Sequence, residues 1–264
     1  MKENKTALII GIRNERSIAF AIAKKLYFLG YNLAISYTED TKEEVLYQLC
    51  TNNMYNLITG QVDVRDEDQI KAFCAETKAK LGSINYVLHS VAYGSHKVLC
   101  NKAPFSQDEP TDYTDIPLAD LEEAIDIGAY SLLRLVRSVQ PFLSVNASIL
   151  TTTYNASQRV VPKYAGMAMV KACLENCMKY LAYHLGSKGH RINALSPGLL
   201  MTTSAASIQG VRSMRKQSAE ASPLGNISLE DVAEAAAYYF SDASKKVTGN
   251  IHYIDGGLNI MGGT

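Results

Sequence analysis

The stretch TALIIGIRNERSIA, residues 6–19, runs from an apolar segment through a single glycine into an amphipathic segment. Thr6–Ile10 is short, β-branched and apolar, as is typical of a strand buried in a sheet. Residues 17–29 place apolar side chains at helical spacing, and Gly30 ends that pattern. The order of strand, glycine turn and helix predicts the first βα unit of an α/β fold.

The same alternation continues to the end of the chain. We predict further strands at residues 33–37, 57–62, 86–91, 147–152, 192–195 and 250–254. We predict helices at residues 17–29, 41–49, 66–81, 118–143, 162–185 and 228–240. Regular alternation implies right-handed crossovers, and so a seven-stranded parallel sheet in one doubly wound α/β domain over residues 1–264, with helices on both faces.

Composition excludes several functional classes. The chain has 264 residues, 47% of them hydrophobic, and its 26 Lys and Arg balance 26 Asp and Glu. A net charge of zero argues against nucleic-acid binding and against an anionic membrane surface. The five cysteines include no C-x-x-C pair, so we expect neither a disulfide framework nor a metal site. With no long apolar run and no signal-peptide pattern, we expect a cytoplasmic protein.

Two irregular segments interrupt the pattern, at residues 93–117 and 199–225. The first follows a predicted central strand and contains Pro104, Pro110 and Pro117. Ligands bind at the carboxyl ends of strands in an open parallel sheet, and long loops in compact domains are usually functional. We therefore expect both segments to border a substrate site.

The first βα turn is typical of a dinucleotide site. Gly11 allows a tight turn, and the following helix presents its positive amino terminus to a pyrophosphate. Only the first glycine of the usual G-x-G-x-x-G is present, although Ser17 could supply a hydroxyl and Ala19 allows close packing. An ordinary βα turn capped by serine is the alternative interpretation.

The end of the second strand bears on which dinucleotide binds. Residues 37–40 read Tyr-Thr-Glu-Asp, and no arginine follows before Arg65. An acidic residue here favours NADH, because a 2′-phosphate would find no bidentate cation. Lys42 lies close enough that NADPH is not excluded.

Tyr164 and Lys171 are seven positions apart on the predicted fifth helix. Two helical turns take about 7.2 residues, so both side chains lie on one face. A tyrosine hydroxyl can stabilise a carbonyl oxygen that gains charge during hydride transfer, and a nearby ammonium can bind a ribose and favour phenolate character. An exposed lysine beside an interfacial tyrosine is the alternative.

Further motifs carry a family resemblance. A second tyrosine, Tyr154, stands ten positions before Tyr164, which gives Tyr-x9-Tyr-x6-Lys. A more common arrangement of these two residues is Tyr-x3-Lys, which would require a lysine at position 168, where this chain has Ala168. Six further segments match the motifs of the same family of reductases: Gly11-x5-Ser17-Ile18-Ala19, Asp63-Val64, His89-Ser90-Val91-Ala92, Arg191-Ile192-Asn193-Ala194, Ser196-Pro197-Gly198 and Asp255-Gly256-Gly257. The sequence resembles the enoyl-acyl-carrier-protein reductases, a branch of the short-chain dehydrogenase/reductase superfamily.

The resemblance implies a Rossmann-type reductase of fatty-acid elongation that uses NADH on the 2,3-double bond of an enoyl thioester. Tyr164 would hydrogen-bond the thioester carbonyl and stabilise the enolate, Lys171 would bind the nicotinamide ribose, and Tyr154 would line the acyl site as part of the catalytic set. Gly94 would lie near the substrate. The implied dinucleotide contacts are Gly11, Ser17, Ile18, Thr38, Asp63, Val64, Ser90, Val91, Ala92, Lys171, Leu200 and Thr202. The family also implies an acyl carrier protein as partner and a homotetramer.

Other functions stay open at this point. A carbonyl reductase acting on 3-oxoacyl thioesters would use the same fold, although it normally has Tyr-x3-Lys with a serine before it, where this chain has Thr151, Thr152 and Thr153. A dinucleotide-binding protein without catalysis is a third possibility, kept open by the long 93–117 segment.

Weaker constellations have structural interpretations. Cys173 and Cys177 pack on a helix, and His89 is a hydrogen-bonded core residue. The basic residues Arg212, Arg215 and Lys216 form either a solvated helix face or a docking patch for an acidic carrier. Tyr180 and Tyr183 are candidates for a subunit interface.

Overall fold

The computed structural model describes residues 5–38, 41, 57–100, 111–206 and 208–262. The helix predicted at 41–49, the residues Glu39, Asp40 and Lys42, and the middle of the 93–117 segment lie outside the described residues, apart from Thr41 itself.

A seven-stranded parallel sheet organises the described chain and confirms the predicted fold. Its strands are Thr6–Ile10 (β1), Asn32–Tyr37 (β2), Leu57–Gln61 (β3), Ile84–His89 (β4), Leu143–Thr152 (β5), Arg191–Pro197 (β6) and Ile251–Ile254 (β7). The spatial order is β3-β2-β1-β4-β5-β6-β7. The order reverses between β1 and β4, and this switch point is where open parallel sheets bind ligands.

Helices cover both faces of the sheet. Their bounds are Ile18–Phe28 (α1), Glu67–Leu81 (α2), Leu118–Ile125 (α3), Ser131–Val139 (α4), Ala165–Gly186 (α5), Thr203–Ala206 (α6), Val211–Ala221 (α7) and Leu229–Tyr239 (α8). Apolar residues of α1 and α8 fill one core layer, and those of α2, α4 and α5 fill the other. β1 is buried along its whole length, which explains its unbroken apolar run.

The helix predicted at 118–143 is wrong in its interior and at its end. A π turn, Asp126–Tyr130, separates α3 from α4, and β5 begins at Leu143. Pro141 accounts for the early end, because proline lacks an N–H for a helix interior. Within the π turn, a Cβ on Gly128 would lie 2.6 Å from Cγ1 of Val170, so the glycine lets α5 pack closely.

The 199–225 segment is not a loop throughout, because it contains α6 and α7. A small apolar cluster of Leu199, Ala205, Ile208 and Val211 holds these helices. α5 starts at Ala165 rather than at 162, since Lys163 has a φ of 63° and cannot belong to a right-handed helix.

Candidate active site

A cleft of about 720 Å³ lies at the carboxyl ends of β1, β4, β5 and β6. Every sequence-predicted site residue except Gly94 lines this cleft. Gly94 lies against α5 instead, where an added Cβ would meet the Met167 sulfur at 2.6 Å. The cleft thus brings together residues that are up to about 190 positions apart in the chain, from Gly11 to Thr202.

The turn after β1 fits the phosphates of a dinucleotide. Gly11 has a φ of 110°, and a Cβ there would lie 2.1 Å from the Ser90 carbonyl oxygen, so only glycine fits. Ser17 Oγ accepts hydrogen bonds from the backbone N–H groups of Arg13 at 3.2 Å and Asn14 at 3.0 Å. The side chain therefore shapes the turn rather than capping α1. The uncapped amino terminus of α1 is left available to an anion.

The adenosine side of the cleft is built from two short turns. Thr38 N–H donates to Thr41 Oγ1 at 3.3 Å, and that hydroxyl donates to the Ile12 carbonyl at 3.3 Å. Asp63 accepts hydrogen bonds from the guanidinium and backbone N–H of Arg65, which holds the pKa of the Asp63 carboxyl below its usual value. Asp63 is thereby an ordered acceptor at the far end of the cleft from the tyrosines.

The two tyrosines meet at the other end. Tyr164 is the residue that precedes α5, and its ring contacts the Tyr154 ring edge-on with centroids 5.1 Å apart. Burial raises the pKa of both phenols above the usual value, and Tyr154 raises that of Tyr164 further. This burial opposes the phenolate character expected beside an ammonium, which stays a prediction. Burial keeps this hydroxyl protonated, so it can act as a hydrogen-bond donor.

Lys171 is 4% exposed and lies on the same wall as Tyr164. Its Nζ donates to the Thr152 carbonyl at 3.0 Å. Burial lowers the pKa of Lys171 to about 8, and the Glu175 carboxylate opposes that shift. A lysine in this state still carries a charge near neutral pH and has donors left for a ribose.

His89 is a structural residue, as the sequence analysis interpreted it. It is fully buried at the end of β4, and its ring nitrogens bond Thr151 Oγ1 at 3.0 Å and Ser131 Oγ at 2.8 Å. Burial lowers the pKa of His89 to about 3, so the ring is neutral. It braces β4, β5 and α4 behind the cleft.

Several lining residues were missed. Some adjoin predicted residues and could have been found from strand ends: Ile12, Arg13, Tyr37, Gln61, Tyr93, Thr152 and Thr153. Glu123 and Ile127 reach the cleft from α3 and the π turn, and no sequence pattern indicates that these residues line a site. Among the described residues, no group of three or more His, Cys, Asp or Glu could hold a metal. No described helix is long and apolar enough to cross a membrane.

Comparison with known proteins decides the family. Residues 11–259 match the family model described as enoyl-(acyl carrier protein) reductase. The chain belongs to this family. An NADH-dependent enoyl-acyl-carrier-protein reductase of Rickettsia typhi is 36% identical over 261 residues, which cover 98% of this chain and 96% of the relative.

Solved structures of this reductase family share the fold. The enzyme from Aquifex aeolicus, described as NADH-dependent, superposes with a TM-score of 0.89 at 33% identity over 99% of both chains. The enzyme from Bacillus cereus, solved with NADP⁺ and an indole naphthyridinone, gives a TM-score of 0.91 at 30% identity over 98% of both chains. The family thus includes members crystallised with NADP⁺, although the curated relatives of this chain are described as NADH enzymes.

Proposed function

We propose that this protein reduces the 2,3-double bond of enoyl thioesters carried on acyl carrier protein, with NADH as reductant, in fatty-acid elongation. The observation that carries the proposal is one cleft in which Tyr154, Tyr164 and Lys171 stand opposite the Gly11 turn. Membership of the family supplies the substrate class.

The chain's own residues suit this reaction. NADH supplies a hydride when bound. Tyr164, protonated and half-buried in the cleft wall, donates to the thioester carbonyl oxygen and stabilises the enolate. Lys171 holds the nicotinamide ribose, and Tyr154 closes the acyl site against Tyr164. The remaining dinucleotide contacts are Gly11, Ser17, Ile18, Thr38, Asp63, Val64, Ser90, Val91, Ala92, Leu200 and Thr202.

The rim of the cleft suits a carrier protein. α7 follows α6, which lines the cleft, and it presents Arg212 and Lys216 to solvent with Arg215 between them. Exposed cations beside the entrance would steer an acidic carrier toward the site. The segments at 93–117 and 199–225 would then border the acyl chain.

Assembly and location are part of the proposal. Tyr180 and Tyr183 are 71% and 87% exposed on the outer face of α5, which fits a subunit contact of a homotetramer. The described cysteines, at positions 74, 100, 173 and 177, are free thiols, which fits the cytoplasm.

A 3-oxoacyl reductase is less well supported by the contacts. The hydroxyl that could replace the usual serine belongs to Thr153, and it donates to Glu175 at 2.7 Å instead of facing a substrate. A non-catalytic dinucleotide-binding protein would not need the paired phenols of Tyr154 and Tyr164 in the cleft.

Oxidation of NADH and NADPH, measured across matched enoyl and 3-oxo thioesters, tests the proposal. We expect turnover of the enoyl series with NADH and little with the 3-oxo series. Preferred turnover of the 3-oxo series would favour the carbonyl reductase. Tight NADH binding without turnover of any thioester would favour the non-catalytic protein.

A further inference from the structure

Glu175 is a buried carboxylate with three donors, and the reaction described above does not use it. It lies one helical turn beyond Lys171 and is 3% exposed. Thr153 Oγ1 donates to its Oε1 at 2.7 Å, and Ser157 Oγ donates to the same atom at 2.6 Å. Gln158 Nε2 donates to its Oε2 at 3.0 Å. A buried carboxylate needs such partners, and all three come from one short segment.

That segment carries Tyr154. Thr153 precedes the tyrosine, and a tight turn, Asn155–Ser157, follows it. The turn is closed by a hydrogen bond from the Ser157 N–H to the Tyr154 carbonyl at 3.1 Å. Glu175 thus fastens the turn that bears Tyr154 to the helix that bears Tyr164.

Glu175 also acts on Lys171 through its charge. Burial disfavours the ammonium of Lys171, and the Glu175 carboxylate raises the pKa of that lysine against this effect. Among the titratable groups around the lysine, His89 from β4 interacts with its charge, and Tyr154 and Tyr164 line the same cleft. Glu175 lies one turn further along α5, and Tyr253 from β7 interacts with Glu175. His89 is neutral and burial favours the neutral phenols, so the carboxylate supplies the negative charge in this described set.

We propose that Glu175 is a positioning residue of the proposed reaction, holding Tyr154 against Tyr164 and keeping Lys171 an ammonium that would bind the nicotinamide ribose. The role of Glu175 in holding Tyr154 rests on the proposed function. Its effect on the charge of Lys171 concerns dinucleotide binding alone, because Lys171 would donate to a ribose hydroxyl before any chemical step.

Glu175→Gln tests the charge, because glutamine has a similar size and keeps one acceptor oxygen. The dissociation constant of NADH, measured by fluorescence, and kcat are followed against pH. In the wild type, we expect the dissociation constant of NADH to rise and kcat to fall as pH rises through about 8, where Lys171 loses its proton. Without the carboxylate of Glu175 the pKa of Lys171 falls. The alkaline limb of each pH profile, where NADH affinity and kcat decline, therefore moves down by about one pH unit. At pH 8 this corresponds to about a fivefold loss, with little change at pH 6.

Glu76→Gln is the matched control. Glu76 is a surface residue on α2 that pairs with Lys80 at 2.6 Å, so its neutralisation removes the same charge far from the cleft. We expect both pH profiles of this variant to coincide with those of the wild type.

A second variant, Ser157→Ala, tests the tether by removing one of the three donors and leaves Glu175 bonded to Thr153 and Gln158. We expect kcat to fall about threefold while the alkaline limb stays near pH 8, because the Tyr154 turn loosens but Lys171 keeps its carboxylate. This variant also decides the positioning role if Glu175→Gln does not fold, as judged by circular dichroism.

Two results would overturn the inference. An alkaline limb of NADH affinity that does not move in Glu175→Gln removes the charge role, and an unchanged kcat in Ser157→Ala removes the tether. Failure of the proposed function is a separate result: the NADH affinity of the wild type would still decline above about pH 8, but the protein would reduce no enoyl thioester.

Discussion

The two walls of the cleft are built in different ways. On the inner wall, Lys171 and Glu175 are almost fully buried, and their polar contacts tie α5 to the end of β5. On the entrance wall, α6 and α7 rest on a small apolar cluster of their own and expose Arg212 and Lys216. The main core therefore holds the reacting side chains in fixed positions. The carrier would instead meet helices that pack on a small cluster outside the main core.

One contact joins the entrance wall to the cofactor turn. Asn14 Nδ2 donates to Thr203 Oγ1 at 2.6 Å, which connects the turn after β1 to α6. Changes to the tyrosines of the inner wall should therefore act on the chemical step, and changes to Lys171 or Glu175 also on the ribose contact. Changes on the entrance wall should act on binding of the carrier and on the cofactor turn.

Tyr164→Phe should give the largest loss. Removing the protonated hydroxyl takes away the donor to the enolate oxygen, so kcat should fall by about 10² to 10⁴ with NADH affinity unchanged. Steady-state kinetics and NADH fluorescence titration measure the two quantities. Tyr154→Phe, whose ring contacts the Tyr164 ring, is the control and should lose about tenfold. Equal losses in the two variants would contradict the assigned roles.

Gly11→Ala should damage the cofactor turn. The new Cβ would meet the Ser90 carbonyl oxygen at 2.1 Å in a backbone of positive φ, so the turn must shift. We expect NADH affinity to fall at least about tenfold and the free energy of unfolding to fall by about 2–3 kcal/mol.

Gly30→Ala separates the two causes of that damage. Gly30 also has a positive φ, of 81°, but nothing lies within 4 Å of its added Cβ. We expect a loss of about 1 kcal/mol in urea unfolding and an unchanged NADH titration. If Gly11→Ala behaved like Gly30→Ala, the close approach to Ser90 would not matter for cofactor binding.

Reversing two charges on α7 should affect the carrier alone. In Arg212→Glu with Lys216→Glu, KM for an enoyl thioester on acyl carrier protein should rise about tenfold at low salt and less at high salt. KM for the matching coenzyme A thioester should stay within about twofold. Lys188→Glu with Lys245→Glu makes the same change of net charge at exposed sites outside the cleft lining. A parallel rise in this control would indicate a general charge effect rather than docking.

Thr203→Val should give the smallest effect. It removes the acceptor for Asn14 but leaves α6 packed, so KM for NADH should rise about twofold to fivefold with kcat retained. Thr203→Ser keeps the hydroxyl and should behave as the wild type. A large loss of kcat in Thr203→Val would show that the entrance wall takes part in the chemical step.

The order of strands and helices follows from the sequence alone, because each βα unit carries its own periodicity and its own glycine or capping residue. All seven strands were predicted to within a few residues, and the family resemblance is confirmed by the comparisons. The π turn was not predicted, and it places Gly128 close to Val170 on another helix, a contact that the local sequence pattern does not contain.

The protonation and contacts of the reacting groups depend on the folded chain. The spacing of Tyr164 and Lys171 was visible in the sequence, but the raised pKa of one and the lowered pKa of the other depend on burial by distant segments. The role of Glu175 depends in the same way on Thr153, Ser157 and Gln158, which come from the end of another strand. Spacing is a local property of the chain, whereas desolvation and hydrogen-bond partners exist only once the chain has folded.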